Sequence, residues 1–189
     1  MTHVYIPDRL NQMNINEIHD LLLEKFGESV VGAGPWPATD PWIEVAAVSI
    51  QEVATFVRDH DQLRFDHLND LCGVDYLELD PKKAKKFEHD PHLEVVYQLS
   101  STSLKHRLKL KVTLPRWEND TAGSLPTCPS VSSVWGIGNW HERECYDLMG
   151  IQFEGHPNHR RILCPEDWQG HALRKDYEFP LEYHGVRGR

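Results

Sequence analysis

The chain has 189 residues, of which 26% are charged and 40% hydrophobic, so its composition is that of a globular protein and excludes a disordered chain or a coiled coil. Its formal net charge of −9 disfavours binding to nucleic acid or to anionic lipid. No apolar run approaches the roughly 20 residues that cross a bilayer, and residues 1–12 lack the apolar core of a signal peptide. We therefore expect a chain that folds unaided and does not cross a membrane.

Two helices are predicted in the first half of the chain, each from a capping box. The pair Asn14 and Glu17 precedes apolar residues at helical spacing, which predicts a helix over 15–26. The pair Ser49 and Glu52 predicts the start of a second helix in the same way.

The stretch between these helices combines a loop with a strand. Trp42 to Ser49 is rich in β-branched and aromatic residues and predicts a strand. The preceding loop is predicted from its glycines and prolines, which are Gly32, Gly34, Pro35, Pro37 and Pro41.

Three further strands are predicted from apolar residues at a spacing of two. They cover 68–79, with an interruption at Gly73, then 93–99 and 106–114. The order of elements favours an α+β fold, a ferredoxin-like α/β sandwich with an antiparallel or mixed sheet and an extended C-terminal arm that contains one helix. Lysines at 82–86 are typical of a solvated hairpin loop between strands, although they could also form a phosphate-binding patch.

Three regions are expected along the chain: an α+β core domain over 1–115, a linker over 116–138 and a C-terminal arm over 139–189. The linker is rich in Pro, Gly, Ser and Thr, and the arm begins with a helix that ends at Gly150 in a left-handed cap. Residues 151–189 contain few apolar positions and must lie on something else. We expect their charged side chains to be exposed and to contribute little to the stability of the isolated chain.

The helix of the arm carries an unusual density of charge. Arg143 and Asp147 are four residues apart and can pair on the helix surface, whereas Glu142 and Glu144 point to different sides. Exposed ion pairs add little stability, so we interpret these arginines as forks that hold carboxylates of another protein.

Cysteine and histidine allow a different interpretation. The four cysteines, at 72, 128, 145 and 164, are dispersed and include no C-x-x-C pair, which is unlike a disulfide framework or an iron–sulfur site and predicts reduced thiols. His141 and Cys145 are nevertheless four residues apart, with His156, His159 and Cys164 following. A small zinc-dependent or thiol-dependent enzyme therefore stays open as a distant alternative.

Four motifs occur in order within the last 50 residues. They are Glu142-Arg-Glu-Cys-Tyr-Asp-Leu-Met-Gly-Ile151, Gly155-His-Pro157, Arg160-Arg-Ile-Leu163 and Leu173-Arg-Lys-Asp176. Together with Pro129-Ser-Val-Ser-Ser-Val-Trp135, this run resembles the 30 kDa subunit family, also called the C subunit family, of proton-pumping NADH:quinone oxidoreductase, respiratory complex I.

The resemblance implies a redox-silent structural and assembly subunit of the peripheral arm. The holoenzyme transfers electrons from NADH through FMN and iron–sulfur clusters to quinone, while this chain would hold no cofactor, no metal and no catalytic residue. Its implied partners are the neighbouring large quinone-site subunit, of the 49 kDa type, and other peripheral-arm subunits. Through them it would lie on the cytoplasmic side of the cell membrane, with no contact to nucleic acid. The alternative is the equivalent subunit of a membrane-bound hydrogenase or another quinone-linked complex.

The same resemblance assigns a partner interface to the arm. The arginines and lysine would form ion pairs, the acidic residues would orient them, Gly150 would supply backbone geometry, and Trp140, Ile151 and Phe153 would be apolar anchors. The complete set is Trp140, Glu142, Arg143, Glu144, Asp147, Gly150, Ile151, Phe153, His156, Pro157, Arg160, Arg161, Arg174, Lys175 and Asp176.

Overall fold

A five-stranded mixed sheet forms the centre of the molecule in the computed structural model, which describes residues 13–34, 40–86 and 89–188. Its strands are β1 (Val30–Gly34), β2 (Trp42–Val45), β3 (His67–Asp75), β4 (His92–Ser100) and β5 (Arg107–Pro115). They are arranged in the order β1-β2-β5-β4-β3, with β2 and β5 parallel and all other neighbours antiparallel. The predicted α+β class with a mixed sheet is confirmed. The expectation about a signal peptide concerns residues 1–12, which lie outside the described residues.

Helices pack on the sheet or connect its strands. They are α1 (Ile15–Phe26), α2 (Ile50–Asp59), α3 (Pro81–Ala84) and α4 (Gly138–Met149). The longest have 12 residues, and the described part of the chain contains no helix long and apolar enough to span a bilayer.

The two predicted capping boxes have different outcomes. At α1 the prediction is confirmed, because Asn14 Oδ1 accepts the backbone N–H of Asn16 and Glu17, and the Glu17 carboxylate accepts the N–H of Asn14. At α2 it is wrong, because the Ser49 backbone is already helical and its hydroxyl donates to Ser29 Oγ at 2.8 Å. Ser49 therefore ties α2 to the turn before β1 and leaves the helix start uncapped by a side chain.

Two predictions between α1 and α2 require correction. The predicted loop is wrong at Gly32 and Gly34, which belong to β1 and pair with Glu44 and Trp42 of β2. Pro35 and Pro37 lie outside the described residues. Strand β2 ends at Val45 and not at Ser49, because a 3₁₀ turn over Ala47–Ser49 leads directly into α2.

The core lies on one face of the sheet, as the alternation in β5 predicts. Leu108, Leu110, Val112 and Leu114 are all buried and are paired with Leu99, Tyr97, Val95 and Leu93 of β4. Ile18 and Leu22 of α1 and the apolar face of α2 complete this layer. The lysine segment after β3 forms the single-turn α3, capped by Asp80, and Lys82, Lys83, Lys85 and Lys86 are exposed.

Residues 116–138, expected as a linker, are packed against the core in several places. They include β6 (Thr127–Pro129), which pairs in parallel with β7 (Gln152–Glu154) after α4. Trp135 is buried, and its Nε1 donates a hydrogen bond of 2.9 Å to the carbonyl oxygen of Phe65. The last two strands of the described residues, β8 (Glu182–Tyr183) and β9 (Val186–Arg187), form a small hairpin.

Helix α4 lies directly on β3, and Gly73 creates the space for it. A Cβ atom at position 73 would be 2.8 Å from Cγ of Met149 and 3.0 Å from Sγ of Cys145. The helix ends at Gly150, which has the predicted left-handed conformation with φ of 70°. The interruption that the sequence shows at Gly73 is thus the contact point of helix and sheet.

Candidate functional site

A buried carboxylate on α4 holds the segment that follows β7. Asp147 Oδ2 accepts three successive backbone N–H groups, from Ile162 at 3.0 Å and from Leu163 and Cys164 at 2.8 Å each. Its Oδ1 accepts a hydrogen bond of 2.6 Å from Nη1 of Arg161. Burial alone would raise the pKa of Asp147, but the Cys164 N–H, the Arg161 guanidinium and the other two N–H groups together hold that pKa below its usual value. Asp147 is therefore a charged anchor for four consecutive residues.

The carbonyl groups at the C-terminus of α4 bind the same segment. Arg161 Nη1 donates to the Asp147 carbonyl at 3.1 Å, and His171 Nδ1 donates to the same oxygen at 3.0 Å. The Leu173 N–H donates to the Leu148 carbonyl at 2.9 Å. Burial lowers the pKa of His171, which favours its neutral form. Carbonyl groups in the last turn of a helix have no hydrogen-bond donor within that helix. In α4, residues 14 to 25 positions later supply donors to them.

A second buried carboxylate holds the segment farther on. Asp75, at the end of β3, accepts Nε and Nη2 of Arg116 at 2.9 and 2.8 Å and the backbone N–H of Lys175 at 2.9 Å. Arg116 also donates to Asp176 at 2.8 Å. Burial would raise the pKa of Asp75, yet the Arg116 side chain and the Lys175 and Leu77 N–H groups lower it.

Arg174 is buried in the chain, with 5% of its surface exposed. Its guanidinium lies 3.8 Å from the ring centre of Trp117, and Nη2 donates to the Arg116 carbonyl at 2.9 Å. Burial, and then the charge of Arg116, lower the pKa of Arg174. The expectation that charged side chains of the arm are exposed is wrong here, because a planar guanidinium can stack on an aromatic ring and still donate to carbonyl groups.

The predicted pair of Arg143 and Asp147 does not form. Arg143 instead donates from Nε to the Arg160 carbonyl at 3.1 Å and from Nη2 to the Arg161 carbonyl at 3.0 Å. Its guanidinium also lies 5.6 Å from the ring centre of Trp140. Arg143 and Asp147 therefore both bind the segment 160–164. Arg143 donates to its carbonyl groups, and Asp147 accepts from its N–H groups.

Glu142 points to a different side of α4 from Asp147 and is fully buried. It accepts the Ser130 hydroxyl and the Val131 N–H, each at 2.6 Å. Burial raises the pKa of Glu142 to about 7, although these hydrogen bonds oppose the shift. His156 Nε2 lies 3.9 Å from the carboxylate, but it donates to the Asn139 carbonyl at 3.0 Å. Glu142 thus ties the start of α4 to the segment before it.

The residues predicted as a partner interface fall into three groups by burial. About half are buried within the chain, namely Glu142, Arg143, Asp147, Gly150, Ile151, Phe153 and Arg174. His156 and Arg161 are partly buried, and the exposed ones are Trp140, Glu144, Pro157, Arg160, Lys175 and Asp176. The structure brings Arg143, Asp147, Arg160 and Arg161 together at the end of α4, while Arg174, Lys175 and Asp176 gather around Asp75 and Arg116.

Four residues of these contacts are not predicted by the sequence motifs, namely Asp75, Arg116, Trp117 and His171. A signal for the first two existed, because Asp75 ends β3 and Arg116 follows β5, and alternate strands of an antiparallel meander end at the same edge. Opposite charges at those two ends predict an ion pair. His171 and Trp117 lie in irregular segments and show no such signal.

Large apolar side chains remain exposed along the segment 137–186. They are Ile137, Trp140, Leu163, Leu173, Phe179, Leu181 and Val186. Leu163 and Leu173 lie in the segment that Asp147 and Asp75 hold, and Leu181 is 78% exposed. These residues have no periodic spacing, so nothing in the sequence separates them from the charged residues around them.

The side chains considered for a metal or thiol centre have other contacts. His159 Nε2 accepts the Phe153 N–H at 3.1 Å, and Cys145 is buried against Gly73, where burial raises the pKa of its thiol. Across residues 13–34, 40–86 and 89–188, no three His, Cys, Asp or Glu side chains are grouped so that they could hold a metal ion. All four cysteines are free thiols.

Comparison with known proteins connects this arrangement to one family. The family model described as "Respiratory-chain NADH dehydrogenase, 30 Kd subunit" matches residues 43–183. The C subunit of NADH-quinone oxidoreductase from Chlorobium phaeobacteroides is 43% identical over 171 residues, covering 89% of this chain and 92% of the relative. The C subunit from Chloroherpeton thalassium is 40% identical over 169 residues, and the match spans 88% of this chain but only 62% of that longer protein.

A solved structure shares the fold. A chain of the membrane-bound sulfane sulfur reductase (MBS), an archaeal respiratory membrane complex, superposes with a TM-score of 0.63 at 22% identity, over 86% of this chain and 85% of the other. At that identity the likeness supports the fold alone. The match to the family model spans the chain from β2 to β8, and with the two relatives it shows that the chain belongs to the family of the 30 kDa subunit of respiratory-chain NADH dehydrogenase.

Proposed function

We propose that this chain is a redox-silent structural and assembly subunit in the peripheral arm of a proton-pumping NADH:quinone oxidoreductase. Membership of the 30 kDa subunit family is the observation that carries this proposal. The complex passes electrons from NADH through FMN and iron–sulfur clusters to quinone. In our proposal all of those cofactors are held by other subunits, and this chain contributes no catalytic residue.

The contacts of the buried polar groups support a structural role. Asp75, Asp147 and Glu142 each accept hydrogen bonds from backbone N–H groups and from a side chain of this chain. Carboxylates engaged in this way hold distant segments of the fold together. Burial raises the pKa of the Cys128 and Cys145 thiols, which disfavours the reactive thiolate form and also supports a structural role.

The proposed partner is the neighbouring large quinone-site subunit, of the 49 kDa type, with other peripheral-arm subunits beside it. Exposed apolar side chains in the segment from α4 to β9, among them Trp140, Leu163 and Leu181, are typical of a surface that another protein covers. Arg160 and Lys175 are exposed in the same region and can form ion pairs at the rim. Attachment to the membrane would then run through these partners, on the cytoplasmic side.

Purification of the native complex tests this proposal. An affinity-tagged chain, expressed in its own organism and extracted in mild detergent, should co-purify with subunits that contain FMN and iron–sulfur clusters. Deletion of its gene should abolish NADH:quinone reductase activity in membranes. Co-purification with hydrogenase subunits, together with unchanged NADH oxidation in the deletion strain, would instead support the related complex. Stoichiometric iron, zinc or flavin in the purified single chain would contradict the redox-silent role.

A further inference from the structure

We propose that residues 160–176, here called the strap, are fixed on the chain's own core before any partner subunit binds, and that Asp147 and Asp75 are the positioning residues that fix it. The partner surface would then exist in the free subunit and would not fold on contact. This inference rests on the proposed function only for the identity of the partner, and it concerns an order of events that family membership does not determine.

The first anchor, Asp147, binds the N-terminal part of the strap through contacts within the chain. Asp147 is completely buried, and its side-chain donors among the described residues come from positions 161–164. Three successive N–H groups around one oxygen form a concave anion site of the kind that backbone bends provide. If the strap were detached, Asp147 would exchange these charge-assisted hydrogen bonds for water, and the three N–H groups would lose their common acceptor.

The second anchor is on a different element from the first. Asp75 lies on β3 and not on α4, and it receives the Lys175 N–H at the far end of the strap. The two anchoring elements are themselves packed tightly together where Met149 and Cys145 fill the space above Gly73. The strap is therefore held at both ends by one rigid frame.

The middle of the strap is held as well. Arg161 Nη2 donates to the Gly170 carbonyl at 2.8 Å, and His171 and Leu173 donate to carbonyl groups of α4. The N–H groups of 162–164 turn inward to Asp147, while the Leu163 side chain is 61% exposed. A surface ordered in advance loses less conformational entropy on binding than a disordered arm.

Hydrogen exchange on the intact, isolated chain tests the order of events. In the wild type, the amides of residues 162–164 and 175 should exchange far more slowly than those of the exposed residues Glu166 and Gln169 between the anchors. Exchange of all strap amides at the rate of an unstructured peptide, with protection appearing only in the assembled complex, would overturn the proposal.

Variants then test which groups fix the strap. Asp147→Asn should lower protection at residues 162–164 by about tenfold or more while protection at residue 175 stays, since a hydrogen bond to a charged group is lost. Asp75→Asn should lower protection at residue 175 while protection at residues 162–164 stays. The matched control is Glu144→Gln, which removes an exposed carboxylate from the same helix and should change neither. If Asp147→Asn unfolds the chain, Arg161→Gln is the milder variant, and unchanged protection at residues 162–164 in it would count against the proposal.

Co-purification separates this inference from the proposed function. A strap that is protected in the free chain, in a protein that never associates with NADH dehydrogenase subunits, would leave the strap proposal standing and remove the proposed partner. If the strap exchanges freely in the isolated chain but the chain still assembles with NADH dehydrogenase subunits, the strap proposal is wrong and the proposed function stands.

Discussion

Glu142 is the residue whose environment departs most from that of an ordinary surface glutamate. Its side chain is buried beneath the start of α4, and burial raises its pKa from 4.5 to about 7. The folded state therefore binds a proton more tightly than the unfolded state does. By linkage, the stabilisation from this group is complete below pH 4.5, is lost as the pH rises towards 7, and changes no further above that value.

The difference in stability between the wild type and Glu142→Gln should reveal this dependence. Relative to the variant, the free energy of unfolding of the wild type should fall by up to about 3 kcal/mol between about pH 4.5 and 7. Urea unfolding at several pH values measures it. The stability of the variant must be subtracted from that of the wild type at each pH. Burial lowers the pKa of His159 and His171, so these groups change the stability of both proteins with pH in the opposite direction. A difference that is flat across this range would contradict the raised pKa of Glu142 in the folded state.

Arg174 should matter for the stability of the isolated chain, contrary to what its place in a polar tail suggests. Arg174→Ala removes the contact with the Trp117 ring and the hydrogen bonds to two backbone carbonyl groups. We expect it to lower the free energy of unfolding by about 1–3 kcal/mol, the range for leaving buried polar groups without partners. The neighbouring Lys175→Ala is the control, since its exposed side chain can be removed while its N–H to Asp75 stays, and it should change stability by less than about 0.5 kcal/mol. Equal effects of the two variants would contradict the burial of Arg174.

At the scale of elements, the packing of α4 on β3 decides where the C-terminal half of the chain lies. Gly73 gives the backbone of β3 a position without a side chain, and Met149 and Cys145 occupy that space. The anchors of the strap are on these same two elements. The geometry of the strap therefore depends on a single close approach of helix to strand.

Gly73→Ala should push α4 away from β3. The added Cβ would lie within 2.8 Å of Met149 Cγ, so we expect a loss of about 1–3 kcal/mol in the free energy of unfolding, as for overpacking. A double-mutant cycle with Met149→Ala, measured by urea unfolding, should show a coupling free energy of at least about 1 kcal/mol, because the smaller side chain relieves the clash. Gly136→Ala, which has open space around it, is the control. Strict additivity would mean that the contact is not the source of the effect.

Elements with a strong local pattern can be predicted from the sequence, and contacts between distant segments cannot. The capping box at Asn14 and the alternation in β5 are local, and both are confirmed. Strand β1 escapes prediction because Val-Val-Gly-Ala-Gly is short and rich in glycine, which is typical of loops. Ser49 is not a cap because its hydroxyl has a better partner in Ser29, 20 residues earlier.

The sequence motifs locate charged residues that have contacts within the chain, but they do not predict what those contacts are. Within the chain, Arg143 and Arg174 bind backbone carbonyl groups, and their predicted ion pairs with carboxylates of a partner stay a prediction. Asp147 does not pair within its own helix but binds residues 14 to 17 positions later. Such contacts have no periodicity along the chain, so no pattern in the sequence predicts them.

On the scale of the whole molecule, buried charge and exposed apolar surface lie close together. The buried carboxylates of α4 and Asp75 have their partners within the chain. The region from α4 to β9 nevertheless leaves several large apolar side chains uncovered, and Phe179, Leu181 and Val186 are each 67% or more exposed. Exposed apolar groups of this size contribute little to the fold where they lie.

Leu181→Ser should therefore affect assembly and leave folding unchanged. The isolated variant should unfold within about 0.5 kcal/mol of the wild type, since the side chain is exposed. Its occupancy in the NADH:quinone oxidoreductase purified from membranes should fall, as measured by quantitative mass spectrometry. Val48→Ser, a similarly exposed apolar residue in the turn before α2, controls for general surface effects. Full occupancy of the Leu181 variant would place the partner contact elsewhere on the chain.

The position of Asp75 also has a consequence during protein synthesis. A ribosome makes this carboxylate 41 residues before Arg116 and 100 residues before Lys175, the groups that later satisfy it. Until then, the growing chain carries an acidic group at the edge of its sheet that cannot be buried at low cost. The carboxylate of Asp75 therefore gains its full set of partners only after residue 175 has been made, so the contacts that complete this edge of the sheet form late in synthesis.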